Sequence, residues 1–461
     1  MTSSTPLPYI ETPLVPSLYL SELTGANVYL KLELTQPSGS FKSRGLGNLV
    51  YKTITGKNTA VAPHLAHTPT GSFPGAPANY YHFFSPSGGN AGCATAYAAR
   101  QYLQKCTVCL PTTSNPLMVD RIRKTGATVV VYGATIAEAD AHIRNVLIPS
   151  CKEVAVYCHP YNDTLVWEGN STVATEIVKQ LEPHLAAAQF TPPPSSLTTT
   201  SNIQISSKSL EVPQQSATLP TPSTSPKFNS VSSSSVSNLL PSPNASSLCL
   251  ASNNIPPPSS SSPSLSSKVI AICSVGGGGL YNGLGIGFSL AGWSDVSLVA
   301  VETEGCATLN QSINAGGKQV EIPAPKTIAT SLSTISVTRE TIDYAMGSRP
   351  TSFGPLPCLN ESSSSSLLSS SNSNASPTGK THSLVVSDRE AAEACIRFAH
   401  DHKMMVEAAC GTALAPLYNG KIKEAFPNLS KDDTIVVVVC GGTSVSWDIL
   451  KGYSETFDIP F

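Results

Sequence analysis

A run of apolar residues that ends in four glycines leaves few folds open to this chain. Lys268-Val269-Ile270-Ala271-Ile272-Cys273 has the composition of a strand buried on both faces, and such strands belong to parallel sheets covered by helices. Ser274-Val275 then leads into Gly276, Gly277, Gly278 and Gly279, with a helical pattern expected from Gly283. Glycines between a strand and a helix let the backbone turn tightly and come close to a bound group.

The same strand, loop and helix order recurs. Asn27 to Glu33 alternates as a half-buried strand does, Pro37-Ser38-Gly39 breaks it, and a helix is expected over Gly45 to Lys52. His82-Phe83-Phe84 reads as a strand, Ser87-Gly88-Gly89-Asn90-Ala91-Gly92 as a glycine-rich turn, and Cys93 to Gln104 as an Ala-rich helix. Strands at Cys106–Pro111, Ala127–Tyr132 and Val154–Cys158 alternate with helices at Asn115–Lys124, Ile136–Leu147 and Val166–Leu181, the last stopped by Pro183. Further on come a helix over Asp388–His402, a short strand at Met404–Val406, a helix from Gly411 and a central strand over Thr434–Cys440. Alternation of this kind predicts an α/β protein with right-handed crossovers onto parallel, twisted sheets.

Two stretches depart from this pattern. Residues 189–267 and 360–381 are rich in Ser, with Pro, Thr and Asn, and nearly free of charge, so they bury too little apolar surface to offset the entropy of ordering; both are predicted disordered. Residues 55–79 read as a loop insertion. The expected organisation is a large domain of 1–41 and 162–461, and a small domain, 42–161, inserted into it.

With 461 residues and a formal net charge of −2, the chain has core enough for an enzyme and no basic tract that would mark a nucleic-acid or anionic-membrane partner. The twelve cysteines lack paired spacing and the start of the chain lacks a secretory pattern, so a reduced, cytoplasmic protein is expected. Cys106-Thr107-Val108-Cys109 has metal-like spacing but lies in a strand pattern with no second pair, and is read as core. Asn170-Ser171-Thr172 is read as an unmodified triplet for want of a secretory signal.

The glycine loop at 276–279 offers N–H groups and the positive end of a helix dipole to an anion, or serves only as a tight turn. No Gly-Lys-Ser/Thr follows it, which excludes a Walker loop. Lys42, beside Phe41 and just after a strand-turn, is either a solvated charge or an amine desolvated enough for covalent chemistry. An amine that condenses with an aldehyde, set opposite a phosphate loop, is the minimum needed to hold pyridoxal 5′-phosphate. The turn at 87–92 suits a carboxylate through a side-chain hydroxyl, an amide and a helix N-terminus, or is an ordinary capped turn.

Taken in order, Ser40-Phe41-Lys42-Ser43-Arg44-Gly45, Ser87 to Gly92, Gly276 to Leu280 and Cys440-Gly441-Gly442 resemble the pyridoxal-phosphate enzymes of the tryptophan-synthase-β type, and among them the eukaryotic L-serine dehydratases. The resemblance spans roughly residues 6–187, 268–355 and 382–450. It implies that Lys42 holds the cofactor as an imine, that Phe41 flanks its ring, and that Gly276, Gly277, Gly278 and Gly279 hold its phosphate. By the same resemblance Ser87, Gly88 and Asn90 meet the substrate carboxylate, Asn90 also the ring hydroxyl, and Cys440 faces the pyridine nitrogen. Glu302, Cys306 and Thr308 resemble the family's monovalent-cation site for K+, although Cys306 stands where a small residue is usual and only its carbonyl would be needed. Glu407 also matches a family segment and is read as structural support. A homodimer is implied as well.

The expected reaction is β-elimination of water from L-serine to give pyruvate and ammonia, and from L-threonine to give 2-oxobutanoate. The readings set against it are a biosynthetic threonine dehydratase, disfavoured by the 21 residues after Cys440 and by the thiol itself, a serine racemase, disfavoured by the same thiol, and an inactive cofactor-binding scaffold, disfavoured by Lys42.

Overall fold

The computed structural model describes residues 5–58, 80–189, 267–347 and 380–461. The segments expected to be disordered, 189–267 and 360–381, and the loop insertion at 55–79 lie outside these residues except at their ends.

The chain starts with an edge strand, β1 (Leu14–Pro16), and a helix, α1 (Leu18–Thr24), that the Ser17 hydroxyl caps at one end and Gly25, at φ +77°, closes at the other. β2 (Asn27–Lys31) turns back along β1. A single helical turn and the loop 36–41 then deliver the chain to α2 (Lys42–Ile54), whose first residue is Lys42.

Next come β3 (Tyr81–Ser85), α3 (Asn90–Gln101), β4 (Lys105–Leu110), α4 (Pro116–Lys124), β5 (Thr128–Val131), α5 (Ile136–His142) and β6 (Val154–Tyr157). Local sequence fixes the helix starts. The Asn115 side chain accepts from Leu117 N–H ahead of Pro116, and Thr135 and Glu138 form a capping box under α5. The four strands make one fully parallel sheet in the order β5-β4-β3-β6. Its core packs Leu46, Leu49 and Val50 of α2 with Phe83, Val108 and Ile122.

The remainder comprises α6 (Thr164–Gln189), β7 (Val269–Ser274), α7 (Gly279–Leu290), β8 (Ser297–Thr303), α8 (Thr308–Asn314), α9 (Arg339–Ala345) and β9 (Thr381–Val386). α10 (Asp388–His402), α11 (Ala408–Tyr418), α12 (Lys421–Ala425), β10 (Thr434–Val438) and α13 (Trp447–Phe457) complete it. A six-stranded sheet runs β1-β2-β10-β7-β8-β9, parallel except for β1. β10 lies at its middle, with Thr434 opposite Asn27 on one side and Val269 on the other. Burial on both faces is what its Ile-Val-Val-Val run requires.

Several expectations need correction. α6 continues through Pro183 to Gln189 rather than stopping; Pro183 is exposed, and the helix is already held upstream by its packing on α7. α7 starts at Gly279, not Gly283, and Gly283 and Gly287 instead let α7 lie against Asn170 to Ala174 of α6. Met404–Val406 forms no strand. β9, which begins inside the segment assigned to disorder, was not anticipated at all. Among the described residues no helix is long and apolar enough to cross a membrane.

Candidate active site

Lys42, Ser87, Gly276 and Cys440 each follow a strand of one of the two parallel sheets, at its C-terminal end, where open α/β sheets bind ligands. Three tertiary links draw these segments together. Ser40 forms an antiparallel bridge with Gly441, Phe41 N–H donates to the Cys440 carbonyl at 3.1 Å, and Gly442 N–H donates to Gly39 O at 3.0 Å. The turn that carries Lys42 is thereby sewn to the turn that carries Cys440.

Lys42 is half-buried and its Nζ donates to the carbonyl of Pro160 at 2.6 Å, 5.1 Å from the centre of the Phe41 ring. Burial pulls its amine down from 10.5 to about 8, against the opposing pull of the Glu407 carboxyl. At pH 7 that leaves about a tenth of the amine neutral, roughly 300 times the share of a solvated lysine.

The residue after Pro160 closes the other half of the site. An added Cβ on Gly277 would collide with the Tyr161 ring, and one on Gly279 would stand 2.9 Å from the Tyr161 carbonyl. Gly278 has φ +96°, and a Cβ there would strike Thr341. Among the described residues, the N–H groups of Gly276, Gly277 and Gly278 donate to no backbone carbonyl, and they stand ahead of the positive end of α7. Asn170 supports the loop by donating to Gly279 O at 2.9 Å, and with 1% exposure this amide is no acceptor for glycosylation in the folded chain.

Asn90, the first residue of α3, connects three segments. Its Nδ2 donates to Glu407 Oε1 at 2.8 Å and to Ser331 Oγ at 3.3 Å, while its Oδ1 accepts from the N–H and hydroxyl of Thr443 at 2.9 and 3.0 Å. The Ser87 hydroxyl accepts from Gly89 N–H at 3.3 Å, within its own loop. Gly88 packs against Ser114 and Leu110 of the next loop and strand.

Glu407, read from sequence as support, ends up inside the site. Burial raises its carboxyl pKa, and Ser331, Ser444 N–H and Asn90 all contact it. Cys440 is buried and lies 3.8 Å from Ser274 Oγ; a hydrogen bond with Cys410, together with burial, pushes its thiol far above the ordinary range, so it stays protonated and uncharged. Tyr161, Thr338 and Thr341 carry no local sequence signal, because they reach the glycine loop from separate segments.

The third expected cluster follows β8, and its Cys306 packs with Leu332, Ala408 and Ala409. The N–H groups of Leu309 and Asn310 donate to the Glu302 carboxylate at 2.8 and 2.7 Å, which makes it a cap at the start of α8. Glu302 is fully buried and raised to about 7, and among the described residues the buried Thr308 hydroxyl beside it has no hydrogen-bond partner. Cys306 Sγ pairs with Thr303 Oγ1 at 3.1 Å. Cys106 and Cys109 join two different core clusters on opposite faces of β4, so they share no metal.

These residues fit pyridoxal phosphate. A side-chain-free cradle of outward N–H groups suits its phosphate, a low-pKa amine its aldehyde, and an uncharged thiol its ring nitrogen. The chain belongs to the family described as pyridoxal-phosphate dependent enzyme, whose pattern matches residues 6–192 and 266–351. The chain is 29% identical over 458 residues to the catabolic L-serine/threonine dehydratase of Saccharomyces cerevisiae, covering 98% of this chain and 91% of that one. It is 27% identical over 464 residues to the human L-serine dehydratase/L-threonine deaminase, covering 99% and 97%. Its fold matches a fungal L-serine ammonia-lyase from Rhizomucor miehei with a TM-score of 0.64 at 24% identity, over 98% of this chain and 99% of that one.

Proposed function

We propose that the chain is a pyridoxal-phosphate-dependent lyase that removes water and ammonia from L-serine, giving pyruvate, and turns L-threonine into 2-oxobutanoate by the same route. The observation that carries this reading is Lys42: an amine brought to about 8 by burial, held by Pro160 beside a glycine cradle. The yeast and human relatives, whose names give serine and threonine as substrates, support the substrate class.

When bound, pyridoxal phosphate supplies the electron sink that makes the substrate's α-proton acidic. Lys42 Nζ, once free and neutral, is the base for that proton, and its lowered pKa keeps it competent near neutrality. Gly276 to Gly279 bind the phosphate dianion through N–H groups and the start of α7. Ser87, Gly88 and Asn90, in the turn that enters α3, receive the substrate carboxylate through the Ser87 hydroxyl and the backbone N–H groups at the helix start, with the Asn90 amide holding Glu407 and Thr443 in place, and Phe41 packs beside the ring. Cys440 stays a neutral thiol and so places no negative charge by the ring nitrogen; a weaker sink favours elimination over transamination.

The same proposal places K+ at Glu302, with the Thr308 hydroxyl and the Cys306 carbonyl. The Thr308 oxygen without a partner and the protonation-prone Glu302 are what a cation would resolve. It also includes the division into a small domain of 42–161 and a large one of 1–41 and 162–461, a homodimer, and a cytoplasmic setting, in keeping with the free thiols of all described cysteines.

Purified protein assayed for pyruvate and 2-oxobutanoate tests the reading, with D-serine measured alongside to separate racemisation. Lys42→Ala should abolish turnover. An intact rate in Lys42→Ala, or D-serine as main product, would overturn it.

A further inference from the structure

Away from the cleft, at the opposite end of the four-stranded sheet, three different metal-binding side chains meet. His82 is near the start of β3, while Cys151 and Glu153 lie on the segment that enters β6. Cys151 Sγ is 3.6 Å from His82 Nδ1 and 3.4 Å from Glu153 Oε2, and His82 Nδ1 is 3.5 Å from the same oxygen. A tetrahedral Zn2+ with bonds of ~2.3 Å to sulfur and ~2.0–2.2 Å to nitrogen and oxygen sets its ligand atoms ~3.4–3.6 Å apart. The three contacts reproduce the edges of one face of that tetrahedron.

The surroundings fit as well. His82 Nε2 lies 2.7 Å from Thr107 Oγ1 on the neighbouring strand, and in the tautomer that donates Nε2–H to this oxygen the Nδ1 lone pair is left for a metal. The backbone holds the other two ligands: Cys151 N–H donates to Ile148 O at 3.1 Å, and Val154 N–H, next to Glu153, donates to Tyr80 O at 3.2 Å. All three ligands are only partly buried, so an ion has access from solvent. Lys105 pairs with the other Glu153 oxygen and, among the described residues, is the one competing cation paired with the cluster.

We propose that His82 Nδ1, Cys151 Sγ and Glu153 Oε2 form a site for a borderline-soft divalent cation, Zn2+ before others, with three protein ligands and an open fourth position. Binding releases the thiol proton of Cys151 and joins β3 to the entry of the edge strand β6, clipping the free margin of the sheet. The site is separate from the Lys42 cleft, since β3 delivers His82 to one end and Ser85 to the other.

The test uses the full chain loaded with pyridoxal phosphate, dialysed to equilibrium against Zn2+ and analysed for metal. Wild type should hold one more ion per chain than Cys151→Ser or His82→Gln, and Glu153→Gln should bind at least about tenfold more weakly. Lys105→Ala, which removes the competing cation, should bind several-fold more tightly. Zn2+ should raise the Tm of wild type and leave Cys151→Ser unmoved. Zinc-edge X-ray absorption of wild type alone should show one sulfur among light-atom ligands, which keeps the proposal testable if a variant does not fold. Equal zinc content in wild type, Cys151→Ser and His82→Gln, or a zinc environment without sulfur, overturns it.

Discussion

Replacing Arg44 with Met should destabilise the protein by about 3–5 kcal/mol, because it breaks a buried ion cluster rather than a surface pair. Arg44 is two residues beyond Lys42, and its side chain is 0% exposed. Its Nε and Nη2 donate to the two Glu33 oxygens at 2.7 Å each, and Nη1 and Nη2 donate to Glu176 at 2.6 and 2.7 Å. Lys31 Nζ adds a bond to Glu176 at 2.7 Å, so two cations face two carboxylates and the cluster is neutral. Without Arg44, one carboxylate stays buried with no counter-charge; an exposed pair would lose under about 1 kcal/mol. The assay is urea unfolding followed by far-UV circular dichroism, with the midpoint compared across variants, since a cofactor-bound chain of this size gives no clean two-state free energy. Adding Glu33→Gln to Arg44→Met restores neutrality and should recover at least about 1 kcal/mol, although Glu33→Gln alone should destabilise. A wild-type midpoint for Arg44→Met, or a double variant with the two losses simply summed, would refute the reasoning.

The remaining predictions concern the cleft and the cation cluster. Covalent uptake of pyridoxal phosphate by the cofactor-free chain should speed up roughly tenfold per pH unit up to about 8 and then level off, as the Lys42 amine loses its proton; stopped-flow absorbance measures this. Gly277→Ala should force the Tyr161 ring aside at about 1–3 kcal/mol, seen as loss of cofactor on dialysis. Between pH 4.5 and about 7 the folded chain keeps a proton on Glu302 that the unfolded chain releases, so without a cation stability should fall as pH rises through that window, by at most about 1.4 kcal/mol per unit. Glu302→Gln should flatten the slope, and K+ should stabilise wild type more at pH 8 than at pH 5.

The sequence was readable wherever one segment carries its own signal. β7 and β10 declare themselves through continuous apolar runs, and the helical pattern from Ile136 marks α5. β9 begins with Thr-His-Ser, is half-buried over most of its length and borders a Ser-rich run, so neither composition nor alternation separates it from its flank. In the site, Lys42 and the glycine loop could be found because each motif is local. The side chains that complete it could not: Asn90 meets Glu407 across 317 positions, and Tyr161 covers Gly277 from a different segment. Such partners become visible only when the sheets bring strand ends together.

The position of β10 bears on how the protein comes into being. The strand that joins β1-β2 to β7-β8-β9 is the last to leave the ribosome, and the segment that follows it carries Cys440 and anchors the turn before Lys42. Until residues 434–442 emerge, β2 and β7 lack the strand that pairs with both, and the turn before Lys42 lacks its anchor. A chain halted earlier is therefore expected to leave two strand edges open, the kind of surface that proteases and chaperones engage.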